Sequence, residues 1–275
     1  MIIQLARQSR EKQTPTSLMN TIAHADFIAG LAKGLAVLES FDTDRQRLNA
    51  TLAAQRAGIT RTAARRHLLT LQYLGYLESD GHYFWLAPKV LRLSGSYLAS
   101  ARLPRTVQPT LTRLAVQTGL SCTVVVLDGA EVVIVARSAT NEQPERRLAH
   151  GLHLGSRLPV HATSTGRILL AAMDDTALEQ WLRNHPLPRL TAHTVTSPQQ
   201  LLSIVYAVRQ QDFAMARNEH ELGVQAISIP LRDRTGHTLA ALNIVAAPKH
   251  FDNKTRVNEL LGLLQEAARD LRPML

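Results

Sequence analysis

At 275 residues, with 45% apolar and 19% charged side chains, the chain has the composition of a soluble globular protein with room for two cores. No apolar run reaches the roughly 18 residues of a membrane span and no signal-peptide core opens the sequence, so a membrane partner is not expected. The single Cys122 excludes an internal disulfide and fits a reducing, cytoplasmic setting, while the net charge of +9 raises the prospect of a polyanionic partner.

Residues 1–23 are polar and aperiodic and read as a mobile tail. Residues 27–41 (FIAGLAKGLAVLESF) repeat apolar side chains at helical spacing, with Asp26 as the expected N-cap. DTDRQR reads as a turn. A short helix then follows over 50–57, with Asn49 before it and Gly58 to end it. Thr60 is placed to cap a third helix running to about Leu74, closed by Gly75. YLES, Asp80-Gly81 and HYFWL then form a hairpin pattern in which the turn pair is expected to supply positive φ angles. The order helix, helix, short turn, helix, hairpin is that of a winged helix-turn-helix, assigned to 24–87.

The charge is concentrated in this half. Arg45, Arg47, Arg56, Arg61, Arg65 and Arg66 fall between residues 45 and 77 with no acid among them. On the third helix, Ile59, Ala64, Leu68, Leu71 and Leu74 form an inward stripe, whereas Arg61, Thr62, Arg65, Arg66 and Leu69 lie opposite. A solvated basic face is one reading. A helix that was merely solvated would intersperse Glu with its Arg, however, and the first turns of this one match those that reach base edges, where Arg pairs with guanine. Residues 88–119 continue the basic character with Lys89, Arg92, Arg102, Arg105 and Arg113 and no acid, and read as a helical linker. Its Val90, Leu91, Leu93 and Leu98 are more apolar than a free linker needs, pointing to packing on a second subunit or on the chain's own wing domain.

From residue 120 the period changes and the charges balance, 16 basic against 15 acidic. CTVVVLDGAEVVIVARSA reads as a second hairpin about Asp128-Gly129. Helices are expected over 174–184 and 197–211, strands at FAMAR, VQAISIPL and HTLAALNIVAA, and a closing helix over 252–271 with Asp252 as cap. Residues 120–275 are therefore an α+β domain with an antiparallel sheet. Within it, Thr163-Ser164-Thr165-Gly166 runs straight into a helix, with Arg167 next. Backbone amides, hydroxyls and a positive helix end would there meet one anion such as a carboxylate, and ordinary N-capping by Ser or Thr is the alternative.

Catalytic and metal readings are poorly supported. His150, His153 and His161 have irregular spacing with no Cys or Asp cluster nearby, Cys122 begins a strand as a small packed residue, and Ser164 has His161 but no orienting carboxylate. There is no nucleophile elbow, phosphate loop or dinucleotide fingerprint, so no catalytic residue, metal or cofactor is expected.

AAQRAGITRTAARRHLLTLQYLGYLESDGHYFWLAPKVLRLS, GSRLPVHATSTGRILLA and NEHELGVQAISIPLRDRTGHTLAALNIVAAP, in that order, resemble the IclR family of bacterial transcriptional regulators over roughly residues 26–272. TRTAARRHLLTL further resembles the branch that governs aromatic-acid catabolism through the β-ketoadipate pathway. The resemblance implies a homodimer or dimer of dimers on palindromic double-stranded promoter DNA, and a GAF-like C-terminal domain that binds a small organic acid. With the motif reading above, the expected DNA contacts are Thr60, Arg61, Thr62, Arg65 and Arg66 and the wing tip Gly81-His82. Effector contacts are carried over to Ser164, Thr165 and Gly166, to Ala226 and Ser228, and to Asn243 and Val245, and the loop reading above adds Thr163 and Arg167. Some members have small polar residues where this chain has Ala226, Asn243 and Val245, which favours an aromatic ring over a two-carbon acid.

Overall fold

The computed structural model describes residues 23, 25–42, 45–138 and 152–275. The expected mobile tail, Ala23 apart, and His150 lie outside the described residues. The chain divides into two compact units at Arg92/Leu93.

The first unit holds α1 (Ala29–Leu38), α2 (Ala50–Ala57), α3 (Arg61–Tyr73) and a hairpin of β1 (Leu77–Ser79) and β2 (Phe84–Leu86). Asn49 caps α2 by accepting from the amides of Thr51 and Leu52, and Gly58 turns the chain at φ +64°. Thr60 caps α3 by accepting from Ala63 N at 3.3 Å. Val37, Leu48, Ala53, Ala64, Leu68, Leu77 and Phe84 close over one core. Full burial of a leucine such as Leu68 stabilises this small unit by about 1.5–3 kcal/mol.

Several local expectations change. Helix α1 starts two residues later than its apolar period, at Ala29, with Ile28 and not Asp26 at the N-cap and no side-chain cap. The inward stripe of α3 ends at partly buried Leu71; Leu74, the C-cap, is exposed. In the wing, only Gly81 takes a positive φ (+95°); Asp80 instead accepts from the amides of His82 and Tyr83 through its carboxylate. Those two amides hold the Asp80 carboxyl below its usual range, with nearby Arg47 adding to the effect. The turn before α2 also has structure of its own: Leu48 exchanges both backbone hydrogen bonds with Phe84, adding a bridge to the wing.

α4 (Leu91–Ser100) spans the division and buries no residue, whereas in the second unit α5 (Arg102–Thr118) buries Val107, Leu111 and Leu114 against the sheet. The sheet has six strands in the order β5-β4-β3-β8-β7-β6, every neighbouring pair antiparallel. They are β3 (Ser121–Asp128), β4 (Glu131–Ser138), β5 (Arg157–Pro159), β6 (Ala214–Arg217), β7 (Gln225–Arg232) and β8 (Thr238–Ala246). β5 escapes the sequence pattern because three residues are too few to show alternation. α9 (Lys254–Leu271) packs with α5 on one face, its cap being Asn253, which accepts from Thr255 N, and not Asp252. α6 (Ser164–Ala171), α7 (Asp175–Asn184) and α8 (Pro198–Gln211) cover the other. Cys122 is buried with its thiol pushed up to about 12, chiefly by desolvation, which makes it a packed core residue. Among the described residues no helix is long and apolar enough to cross a membrane.

Candidate functional site

Strand alternation decides which side chains reach the α6 side of the sheet. Ile227, Ile229, Leu242 and Ile244 face α5 and α9, so Ala226, Ser228, Asn243 and Val245 face the opposite way. The register then pairs Ala226 with Val245 and Ser228 with Asn243, and brings Thr123 of β3 opposite Asn243. Four of the effector candidates thus become neighbours on one face.

The start of α6 packs over them. Thr163 caps the helix by accepting from Gly166 N at 3.1 Å, so the capping alternative holds for that residue. Ser164 Oγ lies 2.6 Å from Ser228 Oγ. The amides of Ser164 and Thr165 have no backbone or side-chain acceptor among the described residues. They stand at the positive end of the helix, ready to donate to an anion.

A small cavity of about 50 Å³ opens at this point. Its wall contains Thr163, Ser164, Thr165, Ala226, Asn243 and Val245 of the nine effector candidates; Gly166, Arg167 and Ser228 stand behind it. Thr123 donates its hydroxyl to Asn243 Oδ1, leaving the Asn243 amide nitrogen as a donor in the wall. Sequence reasoning missed Leu152 and Leu158, which precede and form β5, and Glu219, His220, Glu221 and Val224 on the β6–β7 loop. The NEHELG run was visible as a resemblance, but nothing in its spacing placed it at a cavity.

Arg167 does not reach an anion in the cavity. It is 4% exposed, and its Nη2 donates to both Glu219 carboxylate oxygens at 2.7 and 2.6 Å while Nη1 donates to Met215 O at 2.7 Å. Glu219 has its own second partner, Val195 N, and its backbone oxygen accepts from Thr191 and Thr194. Gly166 is required for a different reason from ligand contact: a Cβ there would lie 2.0 Å from Val160 O. His161 is buried, with Nε2 3.0 Å from Pro188 O, and desolvation lowers its pKa. Among the described residues no cluster of three His, Cys, Asp or Glu side chains could hold a metal.

The other candidate surface is α3. Arg61, Thr62, Arg65, Arg66 and Leu69 are all exposed, and His67 is half-buried. The three arginines make no ion pair among the described residues. The rest of the basic run is partly neutralised: Arg47 pairs with Asp80 and lies over the Trp85 ring at 4.7 Å, and Arg56 pairs with Asp42. Of the basic run, Arg45 and the three arginines of α3 keep no acidic partner among the described residues. Gly81 and His82 are exposed at the wing tip.

Residues 30–81 match the family profile described as the IclR helix-turn-helix domain, and residues 95–272 match that described as bacterial transcriptional regulator IclR C-terminal. The chain is 52% identical over 254 residues to the Pca operon regulatory protein of Acinetobacter baylyi, covering 92% of this chain and 91% of the relative. It is 49% identical over 248 residues to the p-hydroxybenzoate hydroxylase transcriptional activator of the same organism, covering 90% and 92%. An IclR homolog from Microbacterium hydrocarbonoxydans, solved in complex with 4-hydroxybenzoate, superposes with a TM-score of 0.71 at 28% identity over 90% of this chain and 99% of that one.

Proposed function

The chain belongs to the IclR family and is a transcriptional regulator of the Pca and p-hydroxybenzoate type, and from that premise we propose how it reads DNA and which class of acid controls it. Thr60, Arg61, Thr62, Arg65 and Arg66 enter the major groove, and Gly81-His82 touch the flanking backbone. The unpaired, exposed arginines on the first turns of α3 carry this reading, since a guanidinium with no internal acidic partner is free to pair with phosphate or with guanine. A second copy of the chain supplies the other half-site, about one helical turn away or a multiple of it. On α1 Leu31 and Leu35, and separately on α4 Leu91, Leu93 and Tyr97, lie uncovered, and each set favours self-association, because monomers rarely leave neighbouring apolar side chains in water. A dimer of dimers repeats the same unit.

Replacing Arg65 by alanine should weaken specific operator binding by about 1–3 kcal/mol, with circular dichroism unchanged. Fluorescence anisotropy on operator DNA measures it; unaltered affinity removes Arg65 from the reading surface.

The effector is proposed to be an aromatic monocarboxylic acid. Its carboxylate would accept from the free amides of Ser164 and Thr165, with the Thr165 hydroxyl and the Asn243 amide alongside, while Leu152, Leu158, Val224, Ala226 and Val245 border the ring. The acid acts by binding one arrangement of the protein better than another. A thermal-shift series with 4-hydroxybenzoate, protocatechuate, adipate and glyoxylate tests the class. A ligand bound only to the native state at 100 times its Kd adds about 2.7 kcal/mol, so a stabilising aromatic acid is expected to stand out. Stabilisation by adipate or glyoxylate alone would overturn the assignment.

A further inference from the structure

Among the described residues, His220 is the cavity-wall residue whose side chain holds a buried polar atom without a partner. It stands on the β6–β7 loop between Glu219 and Glu221, and its Nδ1 is shielded from solvent with no hydrogen-bond partner. Buried polar atoms in folded proteins are nearly always paired, so an orphan beside a ligand cavity marks a place where bound ligand completes the pairing. Of its neighbours, Glu219 is held by Arg167, and the Glu221 carboxylate and His161 are the titratable groups that act on it. Desolvation lowers the imidazole pKa, which keeps the ring neutral near pH 7, with one nitrogen to donate and one to accept. A neutral ring does not compete for the carboxylate of the effector, which has donors of its own at the start of α6. It is suited to a neutral hydroxyl instead.

We propose that His220 is a specificity-determining residue that hydrogen-bonds a hydroxyl on the effector's aromatic ring, so that the cavity selects hydroxybenzoate-type acids over the unsubstituted acid. This rests on the aromatic-acid reading above. The ring hydroxyl donates to, or accepts from, the nitrogen that otherwise has no partner, whereas benzoate leaves that nitrogen bare and gains nothing from it.

The test is calorimetric titration of the full-length protein with 4-hydroxybenzoate, 3-hydroxybenzoate and benzoate, for the native chain and for His220→Phe and His220→Asn. The native chain should favour at least one hydroxybenzoate over benzoate by roughly tenfold, the worth of one net hydrogen bond. His220→Phe keeps an aromatic ring and removes both nitrogens; it should erase the preference while leaving benzoate affinity within about twofold. His220→Asn retains a polar atom near the position of Nδ1 and should restore most of the preference. A preference that survives His220→Phe, no preference in the native chain, or an equal loss for all three acids in the variant overturns the proposal. The last of these is the result of a purely structural role. If none of the three acids binds the native chain, the aromatic-acid reading falls and this inference with it.

Discussion

Replacing Arg167 by methionine should destabilise the protein by about 3–5 kcal/mol, the loss typical of a buried ion pair stripped of one partner. The side chains of Arg167 and Glu219 are only 5% and 10% exposed, and the pair is made through two short hydrogen bonds. Methionine fills much of the arginine volume but leaves the Glu219 carboxylate facing an apolar interior and the Met215 carbonyl without its donor. Urea denaturation should show a lower midpoint with an unchanged slope for the second unit's transition. The pair need not be the most stable filling of this space, since Arg167 Nε has no partner. Arg167→Met/Glu219→Met should accordingly recover most of the loss, because it removes the stranded charge along with its partner. A single variant within 1 kcal/mol of the native protein would mean that water reaches Glu219. The ligand readout should move as well: Glu219 borders the cavity, so a carboxylate freed from Arg167 would repel the carboxylate of an incoming acid.

Gly166→Ala should be nearly as damaging for an unrelated reason. The added Cβ would fall 2.0 Å from Val160 O and 2.6 Å from the Val160 carbonyl carbon and Cα. These are backbone atoms of the short 3₁₀ turn that delivers the chain to α6, so no rotamer change relieves the clash. We expect a loss at the upper end of the about 1–3 kcal/mol range for overpacking, measured by thermal unfolding. Displacing α6 also moves the Ser164 and Thr165 amides, and hydroxybenzoate affinity should fall with stability even though Gly166 itself touches no ligand. Normal stability together with normal affinity would show that the turn yields easily.

The contrast between Arg167 and Gly166 shows where local reading ends. Both follow the Thr-Ser-Thr run, and as a string of residues they belong to the same anion-binding loop. In the folded chain, the helical step from residue 165 to 167 turns Arg167 away from the cavity toward β6, where Glu219 meets it from 52 residues further on. No local pattern announces such a partner. Asp42 and Asp80 behave similarly. They lie just outside the acid-free run of arginines, yet they fold back on Arg56 and Arg47 and leave Arg61, Arg65 and Arg66 as the free cations of α3.

The sequence by itself determined the elements and most of their faces. The 3.6-residue stripe of α3, Asn49 and Thr60 at helix starts, Gly58 and Gly81 at positive φ, and the alternation of β7 and β8 are local effects, set by steric limits and by the period at which side chains leave the backbone. Tertiary structure alone decided which atoms remained free to act. It paired Arg167, gave Asn243 Oδ1 to Thr123, brought β5 and the β6–β7 loop to the cavity, and left His220 Nδ1 without a partner. Hydrogen bonding and charge pairing saturate: each donor or acceptor is available to a ligand only if no distant residue has already taken it. That depends on contacts between segments far apart in the chain.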